Sequence, residues 1–233
     1  MKATLLIASA VISIAGSAWA EDKKPAAPQQ ETPKAAASEV EYRPPSRGAP
    51  KVRVGGSTRG IAQRLSLAVI APDHVGLSST AQPDLYWYIS RPVESPLEFA
   101  LYPVDATDPL VEKAIPPVAT AGIQRIRLSE LGVKLKAGEE YQWLISFASK
   151  PNSRAKDAIA SGRVRMQPAS SPLGSYAAAA QAGYWYDAYA SLRNEMARHP
   201  NDARLAAVQQ TLLEQVGLGE VARSETERLT AGK

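Results

Sequence analysis

The feature that most constrains the fold is an alternation of apolar and other side chains, with a period of two, from Ala62 to Gln167. Residues two apart point to the same face of a strand, so this alternation gives each strand one apolar face. The stretch "EYQWLISFA" places Trp143 on that face, and "DLYWYIS" places Trp87 there. Six or seven such strands, separated by turns of Pro, Gly and Asn, predict an antiparallel immunoglobulin-like β-sandwich with both tryptophans in its core.

After residue 167 the apolar residues recur at steps of three and four, which is the period of a helix. Ser171 before Pro172 predicts a helix start, because serine caps helices and proline is tolerated at their first position. Gly183 interrupts this alanine-rich helix and predicts the turn of a helical hairpin. The second helix of the hairpin is predicted to end before Pro200.

One more helix is predicted from Asn201, as its cap, to Gly217, where a glycine ends it. The polar residues 223–233 predict a flexible tail. The chain is therefore predicted to be of the α+β class, with a sandwich domain in residues 42–168 and a helical region in residues 169–222.

Residues 1–20 have the pattern of a secretory signal peptide. Lys2 precedes a twelve-residue apolar stretch that is too short to span a bilayer comfortably, and Ala18-Trp19-Ala20 offers a cleavage site. The chain has no cysteine, which excludes a lipoprotein anchor and a disulfide scaffold. We therefore expect export to the periplasm and a mature chain without a membrane span; an uncleaved N-terminal anchor is the alternative.

Residues 21–41 predict a disordered linker, because Pro, Ala, Lys, Glu and Gln cannot bury enough apolar surface to offset the entropy of ordering. The sandwich domain then opens with a segment, up to Gly60, that is rich in Arg, Gly and Pro. The net charge of +4 is spread along the chain, and no basic helix occurs, so nucleic acid is not an expected partner.

Five motifs occur in order along the chain: "YRPPSRGAP", "GGSTRG", "PDLYWYI", "AGEEYQW" and "GYWYDA". In this order they resemble a bacterial family catalogued as domain of unknown function 928. The resemblance implies an exported protein and brings no catalytic residue with it. One departure is the strand after "YQW", which often contains a cysteine in the family and has none in this chain.

A shorter resemblance covers residues 176–200, which are similar to one tetratricopeptide-type helical hairpin. Gly183 stands at the turn between the helices, Ala188 at their close crossing and Pro200 at the exit. The Trp-Leu-Gly that begins such a unit is missing. Because one unit cannot bury its own apolar face, we expect the hairpin to pack on the sandwich instead of forming a peptide-binding array.

The sequence predicts no catalytic residue, no metal site and no cofactor. His74 and His199 lie far apart, and neither has a second ligand at helical spacing. His74, Ser79 or its neighbour Ser78, and Asp84 supply the residue types of a catalytic triad, but the nucleophile-elbow motif is absent. We therefore expect the protein not to be an enzyme.

The stretch "GYWYDA" contains the strongest candidate site. Consecutive helical residues point about 100° apart, so its side chains cannot all face one ligand. Trp185 is predicted to point into the core, Gly183 and Ala188 are predicted to be structural, and Asp187 is predicted to stabilise the helix start. The candidate binding residues, which include four arginines of the entry segment, are Tyr184, Tyr186, Arg43, Arg47, Arg53 and Arg59.

From these observations the sequence favours a non-enzymatic interaction or accessory module of an envelope complex or a membrane sensor. Two alternatives stay open: a hydrolase of cell-envelope carbohydrate or peptide, and a domain that senses a small ligand. The arginines and the tyrosines can form one site only if the entry segment lies beside the helical hairpin.

Overall fold

A computed structural model of the chain describes residues 40–45, 54–55, 65–148 and 158–231. In these ranges the chain forms strands that make two sheets, followed by helices. The strands are β1 (Val54–Gly55), β2 (Leu67–Val69), β3 (Val75–Ser78), β4 (Asp84–Ile89), β5 (Leu97–Pro103), β6 (Val111–Ile115), β7 (Gly122–Arg127), β8 (Glu140–Phe147) and β9 (Ala158–Met166). The helices are α1 (Tyr176–Gln181), α2 (Trp185–Arg198), α3 (Ala203–Gln215) and α4 (Gly219–Ala231).

The larger sheet has the strand order β1-β9-β8-β5-β6, and β3 also pairs with β9. The alternation predicted for β8 is present, since its side chains at positions 141, 143, 145 and 147 are all buried. One pairing differs from the predicted antiparallel arrangement, because β3 and β9 run parallel. The sequence does not indicate β3, because four residues that include a glycine are too short to show a strand pattern.

The smaller sheet has the order β2-β4-β7, and it packs against the larger one through β2. A Cβ atom added at Gly162 of β9 would lie 3.3 Å from Cγ2 of Val69, so the two sheets approach closely here. Trp87 pairs with Val69 across the sheet, and therefore faces the larger sheet as well. On the opposite face Tyr86 lies beneath the helices, with its ring centroid 5.2 Å from that of Tyr189. The helices therefore cover the outer face of the smaller sheet, and α2 also packs on β3 of the larger sheet.

The helical hairpin begins later than predicted. Helix α1 starts at Tyr176, and its cap is Ser175, whose hydroxyl accepts a hydrogen bond from the backbone N–H of Ala178 at 3.2 Å. Gly174 adopts a positive φ of 61°, so the backbone between Pro172 and the helix is not helical. The prediction of a start at residue 171 is therefore wrong by four residues.

The polar C-terminal residues form helix α4, so the prediction of a flexible tail from residue 223 is wrong as far as residue 231. Val221 and Ala222 of this helix are buried, and it packs on α3 and β7. Its inward face also carries Glu225, which is only 1% exposed and pairs with Arg228 at 2.9 Å. Because a charged residue lies in the middle of the apolar face of α4, the sequence does not show a clear helical period of apolar residues there. Among the described helices, none combines the length and the apolar character needed to cross a bilayer.

Candidate functional site

An open groove lies between helix α2, the loop after β3 and the segment that joins β9 to α1. It encloses about 770 Å³, and we call it the helix–loop groove. Most of its polar lining carries hydroxyl or amide groups, on residues Ser78, Ser79, Thr80, Ser170, Ser171, Ser175, Ser191 and Asn194. Its charged lining residues are Asp84, Asp187, Glu195 and Arg198.

Asp187 fixes one wall of the groove to the other. One oxygen of its carboxylate accepts the backbone N–H of Ser79 at 2.8 Å, and the other accepts the Ser79 hydroxyl. Burial raises the pKa of the Asp187 carboxyl above its ordinary value, while the two bonds from Ser79 act to lower it. Because both donors of Ser79 are bound to one carboxylate, the pair holds the loop against the first turn of α2.

Tyr186 forms the floor of the groove. Its hydroxyl accepts a hydrogen bond from Nε1 of Trp143 at 2.9 Å and donates one to the carbonyl of Arg163 at 3.0 Å. Its ring lies so close to β3 that a Cβ atom at Gly76 would be 2.8 Å from Cε2 of Tyr186. The side chain is 2% exposed, and burial raises the pKa of its hydroxyl. This tyrosine, which the sequence reasoning treated as a candidate ligand contact, is positioned as an anchor of α2 on the larger sheet.

Trp185, Tyr186 and Asp187 bind three different parts of the sheets. Nε1 of Trp185 donates to the carbonyl of Ile70, just after β2, at 3.0 Å. The Tyr186 hydroxyl reaches β8 and β9, and the Asp187 carboxylate reaches the end of β3. The three side chains point in different directions, as helical geometry predicts. The sequence gives no sign that the start of the helix is enclosed on several sides, so that each direction meets a strand or a strand end.

The other predicted binding residues are dispersed. Tyr184 is 8% exposed, and its hydroxyl donates to the carbonyl of Pro168 at 3.3 Å. The side chain of Arg43 is 64% exposed and forms an ion pair with Glu41 at 2.8 Å. Arg47, Arg53 and Arg59 lie outside the described residues. Neither Tyr184 nor Arg43 lines the helix–loop groove.

The start of the arginine-rich segment does lie beside the helical hairpin. Residues 40–45, which we call the strap, run past the α1–α2 turn, and the N–H of Arg43 donates to the carbonyl of Ala180 at 3.0 Å. Gly183 has a φ of 83°, and a Cβ atom at this position would lie 2.8 Å from the carbonyl oxygen of Arg43. The glycine is therefore required both by the turn and by the strap that crosses it.

His74 binds the strap and takes no part in a triad with Ser79. Its Nε2 lies 2.9 Å from the hydroxyl of Tyr42, and its Nδ1 lies 3.4 Å from the carboxylate of Asp73. Ser79 is held by Asp187, as described above. Asp84, the third residue of the triad considered above, pairs with Arg125, so the three residues lie in three separate hydrogen-bonded groups.

In a comparison with known families, residues 54–226 align with the family described as Domain of Unknown Function (DUF928). The match covers well over half of the chain. The chain belongs to this family. The DUF928 region includes both sheets and every residue that lines the helix–loop groove, and it begins after the strap. No match was found among curated proteins.

Proposed function

We propose that this DUF928 protein is a non-enzymatic interaction module of the cell envelope, and that its helix–loop groove receives an extended segment of a partner polypeptide. The observation that carries the proposal is the groove itself, in which eight residues with hydroxyl or amide groups stand among apolar ones. Such groups both donate and accept hydrogen bonds, and an extended main chain needs both.

The chemistry of the lining favours a polypeptide over a sugar. The aromatic residue in the lining is Tyr186, whose ring packs on β3 and whose hydroxyl is bound within the chain, so it offers no face for stacking. The exposed residues Ser170, Ser171 and Asn194 instead present polar groups at the rim. At one end Glu195 and Arg198 form an ion pair of 2.7 Å, which leaves this end without an unpaired charge.

The Asp187–Ser79 pair supports the same function, because it holds the two walls in place before a partner arrives. Preorganised walls lower the entropy cost of association, which otherwise offsets much of the interaction energy. The predicted signal peptide places the module in the periplasm, and the predicted immunoglobulin-like character of the sandwich fits an accessory subunit. The partner we propose is an envelope complex or a membrane sensor.

A photo-crosslinking experiment tests this function. A photoreactive phenylalanine analogue is placed at Asn194, which lines the groove, or at Ala197, which is exposed on the same helix but does not line it. We expect a protein adduct from position 194, in cells that express the protein natively, and none from position 197. With the purified partner, Asn194→Arg should weaken binding at least tenfold and Ala197→Arg should not. Equal adducts or equal affinities at the two positions would contradict the proposal.

A hydrolase is the second candidate, and one observation favours it. Asp84 and Asp187 both line the groove, and burial raises the pKa of each carboxyl, as is usual for a general acid. Against it, Asp84 pairs with Arg125 at 3.3 Å, and both oxygens of Asp187 are bound by Ser79. Release of soluble fragments from envelope carbohydrate or peptide, abolished by both Asp84→Asn and Asp187→Asn, would establish the enzyme instead.

A further inference from the structure

The strap is bound to the rest of the chain as a peptide ligand is bound to a receptor. The side-chain amide of Gln215, at the end of α3, donates from Nε2 to the carbonyl of Val40 at 2.8 Å. Its Oε1 accepts the N–H of Tyr42, also at 2.8 Å. One amide therefore satisfies a backbone acceptor and a backbone donor two residues apart, which is how a neighbouring strand recognises an extended chain.

The side chains of the strap are anchored at the same two positions. Val40 is 4% exposed and Tyr42 is 7% exposed, whereas Glu41 between them is exposed. The ring of Tyr42 stacks on His74 at 5.8 Å between centroids and meets the edge of Trp185 at 5.1 Å. Alternate buried side chains and main-chain hydrogen bonds together supply the specificity and the affinity of extended-peptide recognition.

The strap lies outside both sheets and all the described helices, although Val40 and Tyr42 belong to the hydrophobic core. Its bonds to Gln215 join residues 173 and 175 positions apart, and it contributes to neither of the two sheets. The region that matches the DUF928 family begins at residue 54, after the strap. Its partners are the side-chain amide of Gln215, the rings of His74 and Trp185, and the carbonyl of Ala180 near the C-terminal end of α1.

We infer that Gln215, Ala180, His74 and Trp185 form a peptide-binding slot, distinct from the helix–loop groove, and that residues 40–45 are its displaceable internal ligand. The slot recognises a three-residue sequence in which a small apolar residue comes first and a tyrosine comes third. The residue between them is exposed and is not selected. Because the strap is part of the same chain, a competing peptide must overcome its high effective concentration. A free peptide of the same sequence therefore binds well only when the internal strap is weakened.

The test uses the full mature chain and a fluorescent peptide with the sequence of residues 38–45, "SEVEYRPP". In the double variant Val40→Ala, Tyr42→Ala the internal strap loses both anchors and the slot is left unchanged. We expect this variant to bind the peptide at least tenfold more tightly than the wild-type chain does. Adding Gln215→Ala, or replacing the tyrosine of the peptide with alanine, should abolish binding. Equal binding to wild type and variant, or no binding to a variant that melts cooperatively, would overturn the inference.

A second measurement decides the matter if the double variant fails to fold. A protease site is placed within residues 46–53 of the otherwise wild-type chain, and the strap is then cut free of the sandwich. We expect the cut strap to co-elute with the protein and to be released by an excess of the unlabelled peptide. If the cut protein unfolds, or if the peptide never displaces the strap, residues 40–45 are an integral part of the core and the inference is wrong.

Discussion

Replacing Tyr186 with phenylalanine tests the packing of helix α2 on the larger sheet most directly. The change removes one oxygen atom and leaves the aromatic ring against Gly76. Nε1 of the fully buried Trp143 then loses its acceptor, and the carbonyl of Arg163 loses a donor. An unsatisfied buried polar group costs about 1–3 kcal/mol, and a carbonyl with a second lone pair suffers less, so we expect a loss of about 2–3 kcal/mol. For a domain of this size that corresponds to a fall in Tm of about 4–12 °C.

The assay is thermal and urea unfolding, followed by the fluorescence of the buried tryptophans. Tyr184→Phe is the matched control, since its hydroxyl makes one longer hydrogen bond, to the carbonyl of the exposed residue Pro168. That carbonyl can bind water instead, so the control should cost less than about 1 kcal/mol. If the two variants unfold at the same temperature, the buried hydrogen bonds of Tyr186 do not stabilise the protein.

Two further predictions concern the turn and the pH dependence. Gly183→Ala should lower the free energy of unfolding, measured in urea, by at least about 1 kcal/mol more than Gly138→Ala does. Both glycines have φ near 80°, but only at Gly183 would a Cβ atom lie against the strap. Equal losses would exclude the clash. Burial raises the pKa of Asp187 in the folded state, so its contribution to stability is greatest at low pH and is lost as the pH rises through that pKa. The stability of the wild type relative to Asp187→Asn should therefore increase as the pH falls from 7 to 4. Asp202→Asn should show the opposite trend, because the bond from Arg204 lowers the pKa of that carboxyl. If the stability of the wild type relative to each variant changed in the same direction with pH, the opposite pKa shifts of Asp187 and Asp202 would be contradicted.

The sequence predicted the strands that have a clear apolar face and missed β6, all of whose residues are partly or fully exposed. Strand β8 has buried residues at every second position, so its pattern was plain. Strand β6 lies at the edge of the larger sheet and exposes three of its five residues, which include Glu112 and Lys113. Edge strands carry charges that prevent further pairing, and those charges hide the strand from a pattern of apolar residues.

The helix–loop groove was not predictable, because its defining contact joins residues 108 positions apart. Nothing in the sequence near Asp187 indicates Ser79 as its partner, and the helix dipole predicts only a local role for the carboxylate. The direction of Trp185 followed from helical geometry alone. The burial of Tyr186 did not, because it depends on a helix that packs against both sheets at once.

The three successive anchors on α2 also have a consequence for the order of folding. Their partners lie 115, 43 and 108 positions away along the chain, and they belong to strands or strand ends of both sheets. Contacts of such high sequence separation form only after the intervening chain has been organised. We therefore expect the first turn of α2 to dock late, after the sheets have paired, with φ-values near zero at Trp185 and Asp187. The groove would then exist only on molecules that have completed folding, and a partner that binds it would distinguish the native protein from every earlier intermediate.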